Sequence, residues 1–200
     1  MQTTLALSLA IFLLFQNGSA AAATPEGQVR KTIDEILVIL KDPQLKAKPD
    51  ERRRKLEEAI EPRFDFLEMA KRSLGPEWRR MTPEQQREFV ALFTELLKEA
   101  YLSRIESYNS ERVEYLKERT DGEYAEVHTR IIDSVGRDFS VNYHLHNLNG
   151  DWKVYDVVVE HVSLVNNYRS QFSRVLARSS FDDLLRRMKD KTFSSTLAKG

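Results

Sequence analysis

The sequence predicts an α+β domain in which helices cover one face of a curved, four-stranded antiparallel sheet. Apolar residues recur at three- and four-residue spacing from Pro25 to about Ser107, which is typical of amphipathic helices. From about Val113 to Val159 the period changes to two, and the helical spacing returns after Ser163. Runs of helices that flank one run of strands indicate segregated layers rather than an alternating α/β fold.

Helical segments are predicted on both sides of the sheet, and local signals set their ends. Proline-containing breaks delimit the first three, at Asp42-Pro43, Pro62 and Gly75-Pro76. The fourth begins at Thr82-Pro83-Glu84-Gln85, where Thr caps the helix, Pro takes the first helical position and Gln lies three residues after the cap. After the sheet, we expect helices from Ser163 to about Ser179 and from Phe181 to about Lys191.

The period-two region divides into the four strands of a meander. Turn signals separate the strands at Asp121-Gly122, Val135-Gly136 and Asn149-Gly150, and the last is typical of a type I′ hairpin. The fourth strand is apolar on both sides, with Trp152, Val154 and Val158 on one face and Tyr155, Val157 and Val159 on the other. Such a strand must be covered on both faces, and the cover is either protein or a ligand.

Residues 1–23 are predicted to be a signal peptide that is cleaved after Ala21 or Ala23. Leu5–Phe15 is an unbroken apolar run, shorter than the roughly 20 residues needed to span a bilayer, and small residues follow it. The first four residues lack the usual Lys or Arg, so a retained anchor is the alternative. Export leaves residues 24–200 as a single domain.

Composition excludes several functional classes. The 31 Lys and Arg residues balance 31 Asp and Glu residues, so net charge gives no reason to expect nucleic-acid binding. The chain has no cysteine, which excludes a lipid-anchored lipoprotein and any reliance on disulfides. The sequence also lacks a nucleophile elbow and a phosphate-binding Gly-rich loop, and neither a cofactor nor a metal is predicted.

Two sets of titratable residues offer possible chemistry, and each has a simpler structural explanation. His144 and His146 share a strand face that His128 could join, but Glu126 is the one carboxylate that could complete a metal site. We favour histidines on a solvated face. Strict alternation places Asp156 on the same face of the fourth strand as Trp152, Val154 and Val158. There it could act as a general base in a pocket. A carboxylate in an apolar strand more often binds backbone amides or an Arg, which is the interpretation we favour.

Two segments carry a resemblance to a known family. Trp152–Phe172 holds a W-K-V-Y-D strand followed by an acidic residue and a Val-Ser helix start, and Pro62–Leu97 holds the motifs D-F-x-x-M-A, L-G-x-x-W-R and T-x-x-Q-x-x-x-F-x-x-x-F. The residues of the second segment are Asp65, Phe66, Met69, Ala70, Leu74, Gly75, Trp78, Arg79, Thr82, Gln85, Phe89 and Phe93. In this order the motifs resemble the periplasmic phospholipid-binding proteins of the Mla lipid-transport system, the MlaC or toluene-tolerance family. His161 departs from the pattern, because that family usually has Gly at this position.

The resemblance implies a soluble, non-enzymatic carrier that moves phospholipid across the periplasm. Relatives of this kind bury acyl chains in an interior apolar cavity. They exchange lipid with an outer-membrane lipoprotein complex and with the periplasmic lipid-binding subunit of an inner-membrane ABC transporter. A carrier of another lipid, such as a hopanoid, is the alternative on the same scaffold, and a small pocket enzyme that uses Asp156 is the alternative from another class.

The inward phase of the predicted elements selects the residues expected to line such a cavity. Ordinary core packing also explains each of them, since periodicity does not distinguish a filled core from a cavity. The candidates are Phe93, Leu97, Tyr101, Ile105, Tyr115, Val127, Ile131, Phe139, Val141, Tyr143, Trp152, Val154, Val158, Val165 and Tyr168. On the helix after Ser163, Arg169 and Arg174 are candidates for contact with a lipid head group or with an acidic partner surface.

Overall fold

Helices precede and follow one antiparallel sheet in the folded chain. The structure is a computed structural model that describes residues 24–108, 112–133 and 135–190, so the predicted signal peptide lies outside the described residues. The helices are α1 (Pro25–Lys41), α2 (Pro43–Lys46), α3 (Pro49–Ile60), α4 (Phe66–Leu74), α5 (Pro83–Ser107), α6 (Leu164–Leu176) and α7 (Phe181–Lys189). Short 3₁₀ segments occupy Glu61–Arg63 and Gly75–Arg80.

The strands form one sheet in the order β1-β2-β3-β4-β5, and all neighbours are antiparallel. They are β1 (Arg112–Asp121), β2 (Tyr124–Ile132), β3 (Asp138–Leu148), β4 (Asp151–Val159) and β5 (Val162–Ser163). The predicted α+β class and the four-stranded meander are therefore confirmed. The prediction omitted β5, a two-residue strand that folds back on the end of β4.

Side-chain caps explain where most of the helices begin. Six of them start after a residue whose side-chain oxygen accepts a backbone N–H of the first turn: Thr24, Asp42, Asp65, Thr82, Ser163 and Ser180. Thr82 and Gln85 form the predicted reciprocal capping box. A cap of this kind contributes about 1 kcal/mol to helix stability, so these residues set the boundaries that hydrophobic spacing leaves approximate.

The alternation predicted for β2 and β3 is present in the register of the sheet. Val127 pairs with Tyr143 on one face, called here the inner face, and the neighbouring pair Glu126 and His144 lies on the opposite, outer face. Val29 of α1 is buried against the inner face. The inner face is therefore the apolar face of the sheet.

A β-bulge in β4 breaks the regular alternation of that strand. Val154 pairs with Leu145, but Asp156 pairs with His144, so Tyr155 is an extra residue with no partner in the register. Side chains alternate strictly along a strand. Each residue of β4 after the bulge therefore lies on the face opposite to the one that uninterrupted alternation would give it.

The bulge overturns part of the prediction for the fourth strand. Asp156 and Val158 were expected in phase with Trp152 and Val154, and this was wrong, since both lie in the register of the outer face. Val157 takes the inner position instead and packs beside the inner-face cluster. Single-residue insertions leave no mark in an apolar sequence such as Val157 to Val159, so periodicity could not reveal the change.

A second bulge occurs in β1. Tyr115 pairs with Thr129 on the inner face, whereas Lys117 pairs with His128 on the outer face, which leaves Leu116 as the extra residue. Strict alternation would place Lys117 on the same face as Tyr115, and the bulge moves it to the opposite face. The change places the Lys117 ammonium on the outer face of the sheet. Lys117 is exposed there, so its charge avoids the free-energy cost of burial.

The apolar core is divided into two clusters. The helical cluster joins α4, α5, α6 and α7 around Phe89, Phe93, Tyr168 and Phe172, which are all fully buried. Ring centroids within this group lie 5.4–5.8 Å apart, with edge-on contacts between α5 and α6 and stacked pairs within each helix. The helical cluster therefore fixes α6 against the long helix α5.

The sheet cluster covers part of the inner face. Val127, Leu145 and Val154 are fully buried there, and Val29 and Trp152 cover them. No helix among the described residues is long and apolar enough to cross a membrane. The long helix α5 contributes to the helical cluster, and α1 contributes to the sheet cluster.

The turn between β4 and β5 contains the residue that departs from the family pattern. Glu160 and His161 both have positive φ, 46° and 67°, and they separate the paired residues Val159 and Val162. A two-residue loop with both φ values positive is a type I′ turn, which favours Asn and Gly. His161 therefore occupies a position where its Cβ is strained and where Gly would not be.

We expect the substitution His161→Gly to stabilise the protein by about 1 kcal/mol, because left-handed backbone costs a residue with a Cβ roughly this much. The melting temperature should rise by about 2–4 °C for a domain of this size. His161→Ala is the matched control, since it removes the imidazole but keeps the Cβ. A gain from His161→Ala equal to that from His161→Gly would show that the side chain, not the backbone, is the source of the strain.

Candidate functional site

The inner face of the sheet is only partly covered by the two clusters. Ile105 of α5 and Ile131 and Phe139 of the sheet are half-buried and belong to neither cluster. The ring of Tyr108, at the end of α5, stacks on Phe139 with centroids 6.4 Å apart. The end of α5 and the inner face thus bound a region lined by apolar side chains that protein atoms do not fully enclose.

The predicted lining residues divide between the filled clusters and this region. Phe93, Leu97, Val165 and Tyr168 are buried in the helical cluster, and Val127, Trp152 and Val154 are buried in the sheet cluster. The half-buried candidates are Tyr101, Ile105, Tyr115, Ile131, Phe139 and Tyr143. Val141 is buried but belongs to neither cluster, and Val158 lies on the outer face of the sheet. Of the predicted lining residues, the half-buried ones are those whose apolar surface a ligand could still contact.

Phenol groups add polar atoms to this apolar interior. The hydroxyls of Tyr101, Tyr115 and Tyr168 are buried and make no protein hydrogen bond of ordinary geometry in the described chain. Burial raises the pKa of Tyr168 to about 12, and burial also holds the pKa values of Tyr101, Tyr115 and Tyr143 well above the usual value. All four rings are neutral donors at physiological pH.

A second concave surface lies on the other side of the domain, where the two segments that carry the family resemblance meet. This outer groove has a volume of about 570 Å³ and is lined by Trp78, Arg79, Tyr155, Ser163 and Arg169 among other residues. The guanidinium of Arg72 lies over the Tyr155 ring at 4.1 Å and donates to Glu68 at 2.8 Å. The groove carries cationic side chains together with the Glu68 and Asp156 carboxylates and the rings of Trp78 and Tyr155.

The two arginines predicted to contact a head group or a partner differ in their placement. Arg169 lines the outer groove, and its guanidinium lies so close to Gly75 that an added Cβ there would be 2.9 Å from Nη2. Gly75 has a φ of 59° and ends α4, so both its backbone and this contact favour glycine. Arg174 is exposed farther along α6. Contact of either residue with a lipid or a partner stays a prediction.

Asp156 holds the sheet to α6. Its Oδ2 accepts a hydrogen bond from the Ser163 hydroxyl at 2.5 Å, and its Oδ1 accepts one from the Val165 amide at 3.0 Å. The Ser163 oxygen in turn accepts from the Asn166 amide at 3.1 Å and caps the helix. Both carboxylate oxygens are engaged, so the structural role favoured from the sequence is the one that the geometry supports.

The histidines of the outer face form pairs with carboxylates. His128 Nε2 lies 3.1 Å from Glu126, and His146 Nε2 lies 3.0 Å from Asp65, the residue that caps α4. No group of three or more metal-ligating side chains occurs within residues 24–108, 112–133 and 135–190. His144 and His146 occupy alternate positions of β3 and lie on its outer face.

We expect Asp156→Asn to lower the stability by about 2 kcal/mol, the usual value of hydrogen bonds to a charged group. The amide can still accept from Val165, but its NH₂ group cannot accept from the Ser163 hydroxyl. Chemical denaturation of Asp156→Asn, Ser163→Ala and the double variant would measure the coupling. The double variant should lose less than the sum of the single losses, and strict additivity would contradict the link.

A second prediction concerns alkaline pH. The folded chain binds more protons than the unfolded chain above pH about 10, because burial raises the pKa of the phenols. Stability should therefore fall as the pH rises above this value, and the tyrosinate absorbance of the four buried phenols should appear together with the loss of helical circular dichroism. Tyr168→Phe should move this transition to higher pH. Ionisation of all seven tyrosines with the helices intact would contradict the burial.

Known proteins match this sequence over most of its length. The sequence model of the family described as MlaC protein matches residues 30–190. The chain is 29% identical over 178 residues to the toluene tolerance protein ttg2D of Pseudomonas putida, covering 87% of this chain and 83% of that protein. It is 24% identical over 193 residues to the intermembrane phospholipid transport system binding protein MlaC of Haemophilus influenzae, covering 93% of this chain and 90% of that protein.

A solved structure has the same architecture. The phospholipid-binding protein of Ralstonia solanacearum, determined in complex with a phospholipid, matches with a TM-score of 0.75 and 26% sequence identity. The match covers 90% of this chain and 99% of that protein. The arrangement of helices around a curved sheet described above is thus an arrangement in which a relative holds a phospholipid.

Proposed function

Because this chain belongs to the MlaC family, we propose that it is a periplasmic carrier that binds phospholipid acyl chains in its apolar interior. The observation that carries the proposal is the structural match, over 90% of this chain, to a protein that was determined with a phospholipid bound. The names of the two sequence relatives, a toluene tolerance protein and a phospholipid transport binding protein, support the same function.

The half-buried inner-face residues support a place for the acyl chains. Ile105, Ile131 and Phe139 present apolar surface that neither cluster covers. Each methylene that moves from water into such surroundings gains about 0.8 kcal/mol, so free phospholipid crosses water very slowly on its own. A carrier replaces water by this apolar lining during the crossing, and the rigid clusters on either side keep the lining in place.

We extend the proposal to the partners. A carrier in the periplasm must receive and deliver lipid at membranes, and we propose an outer-membrane lipoprotein complex and the lipid-binding subunit of an inner-membrane ABC transporter as the two exchange partners. The name of the Haemophilus influenzae relative, an intermembrane phospholipid transport system binding protein, supports transfer between two membranes. Arg169 in the outer groove and Arg174 on the exposed side of α6 are the cationic candidates for partner contact.

The proposed function involves no catalysis. Asp156 is the one buried carboxylate of the described chain, and both of its oxygens accept hydrogen bonds from the start of α6. These contacts account for the buried carboxylate as a link between the sheet and α6, without a catalytic role. The carrier proposal therefore takes precedence over the pocket enzyme, and a hopanoid or other lipid remains a possible outcome of the experiment below.

Identification of the bound lipid tests the proposal directly. The mature protein is purified without detergent, extracted with organic solvent, and analysed by mass spectrometry. We expect phospholipid in stoichiometric amount, because the apolar lining retains it through purification. Recovery of a hopanoid instead would replace the ligand within the same scaffold. A protein that is empty and takes up no phospholipid from vesicles would contradict the carrier.

We expect Ile131→Trp to reduce bound phospholipid several-fold, because the larger ring fills the half-buried region on the inner face. His128→Trp is the matched control, since His128 lies on the outer face of the same strand. The measurement is phosphate per protein after equilibration with vesicles, with circular dichroism to verify the fold. Equal loss in both variants would contradict an acyl site on the inner face.

A further inference from the structure

Several buried polar atoms lie on the side of the interior formed by α5 and α6. Within the described ranges, no protein hydrogen bond of ordinary geometry reaches Tyr101 Oη on α5 or Asn167 Nδ2, Tyr168 Oη and Gln171 Nε2 on α6, although the two phenol groups lie close enough to interact. Tyr168 is fully buried, and Gln171 is 9% exposed. Buried polar groups are bonded in the great majority of native structures, so the donors of this group that the protein does not satisfy call for a partner of another kind.

The four atoms form one group rather than scattered exceptions. Asn167 and Gln171 are four positions apart on α6, and Tyr168 and Gln171 are three apart, so these side chains are neighbours on one side of the helix. The Tyr101 hydroxyl reaches across from α5 and is near enough to that of Tyr168 for each to influence the pKa of the other. A hydroxyl has a single hydrogen to donate, so even a contact between the two phenols leaves one O–H without an acceptor.

The chemistry of the group defines what it can bind. Amide nitrogens only donate, and the phenols are neutral O–H donors at physiological pH because burial raises their pKa values. The complementary ligand group is therefore one that accepts hydrogen bonds. All four side chains are uncharged, and a neutral acceptor suits them better than a phosphate, whose burial requires a cation.

Ester carbonyl oxygens have these properties, and in a phospholipid they lie where the acyl chains join the glycerol. We infer that Tyr101, Tyr168 and the neighbouring amides of α6 form a polar subsite that binds the ester carbonyls of a diacyl lipid. The inference rests on the proposed function. It places the glycerol end of the lipid beside α5 and α6, and the acyl chains extend from there over the half-buried inner face of the sheet.

Competition between ester and ether lipids tests the subsite. Lipid-free protein is equilibrated with vesicles that contain equal amounts of a diester phosphatidylcholine and of its diether analogue with the same chain lengths, and bound lipid is quantified by mass spectrometry. We expect the wild-type protein to hold about five times more diester than diether, roughly the effect of one net hydrogen bond between neutral groups. The variant Tyr101→Phe/Tyr168→Phe should lose most of this preference, because phenylalanine keeps the rings and removes the donors.

Tyr124→Phe is the matched control, since Tyr124 is half-exposed on the outer face and should leave the preference unchanged. Equal uptake of both lipids by the wild-type protein, or an unchanged preference in the double variant, would overturn the subsite while the carrier proposal stands. Uptake of neither lipid by the wild-type protein would overturn both proposals.

The stability of lipid-free protein separates a ligand-binding role from a structural one. The melting temperature of Tyr168→Phe should equal or exceed that of the wild type, because the lost hydroxyl has no strong protein partner. A marked fall would show that the hydroxyl is bonded within the protein, and it would contradict the subsite.

Discussion

One carboxylate links the sheet to the helices that close the domain. Asp156 accepts hydrogen bonds from the Ser163 side chain and the Val165 amide, the residues with which α6 begins. The bulge at Tyr155 directs Asp156 to the outer face, where α6 starts, and away from the apolar inner face. Without the bulge, the charge would enter the sheet cluster, where an unpaired carboxylate is costly. The direction in which α6 leaves the sheet, and with it the position of Tyr168 and Phe172, depends on this contact.

The division of the core into two clusters separates stability from binding. Fully buried aromatic rings hold α5, α6 and α7 together, and a smaller group of aliphatic side chains and Trp152 holds α1 to the sheet. Phe64 packs against both clusters, at the point where the chain crosses from α3 to the edge of β4. Half-buried residues outside the two clusters keep apolar surface that a ligand can contact, and the packing of each cluster does not depend on them. A protein that carries lipid needs this arrangement, because a fully packed interior leaves no room for acyl chains.

The residues that carry the family resemblance are mostly part of the scaffold. Asp65 caps α4, Gly75 ends it against Arg169, and Asp156 and Ser163 fix the start of α6. These residues lie at the outer groove or at helix ends, and the half-buried residues Ile105, Ile131 and Phe139 are outside the motifs. The pattern has a physical reason: a cap or a left-handed turn accepts few residue types, whereas many aliphatic side chains serve equally well beside an acyl chain.

The sequence by itself determined the elements and their order. Helical and strand periods, Thr82 with Gln85, and Asn149-Gly150 predicted helices and hairpins that the structure contains, because these features depend on residues close together in the chain. Inner and outer faces of β2 and β3 also followed from alternation alone.

Only the tertiary structure decided which apolar residues are fully buried in the core and which keep accessible apolar surface. Phe93 and Ile105 follow the same helical spacing on α5, yet one is fully buried and the other half-buried. The bulges at Leu116 and Tyr155 moved Lys117, Asp156 and Val158 to the outer face, and the orphan donors on α6 became visible only when α5 packed beside it. Burial and register depend on contacts between distant segments, and local sequence spacing contains no record of those contacts.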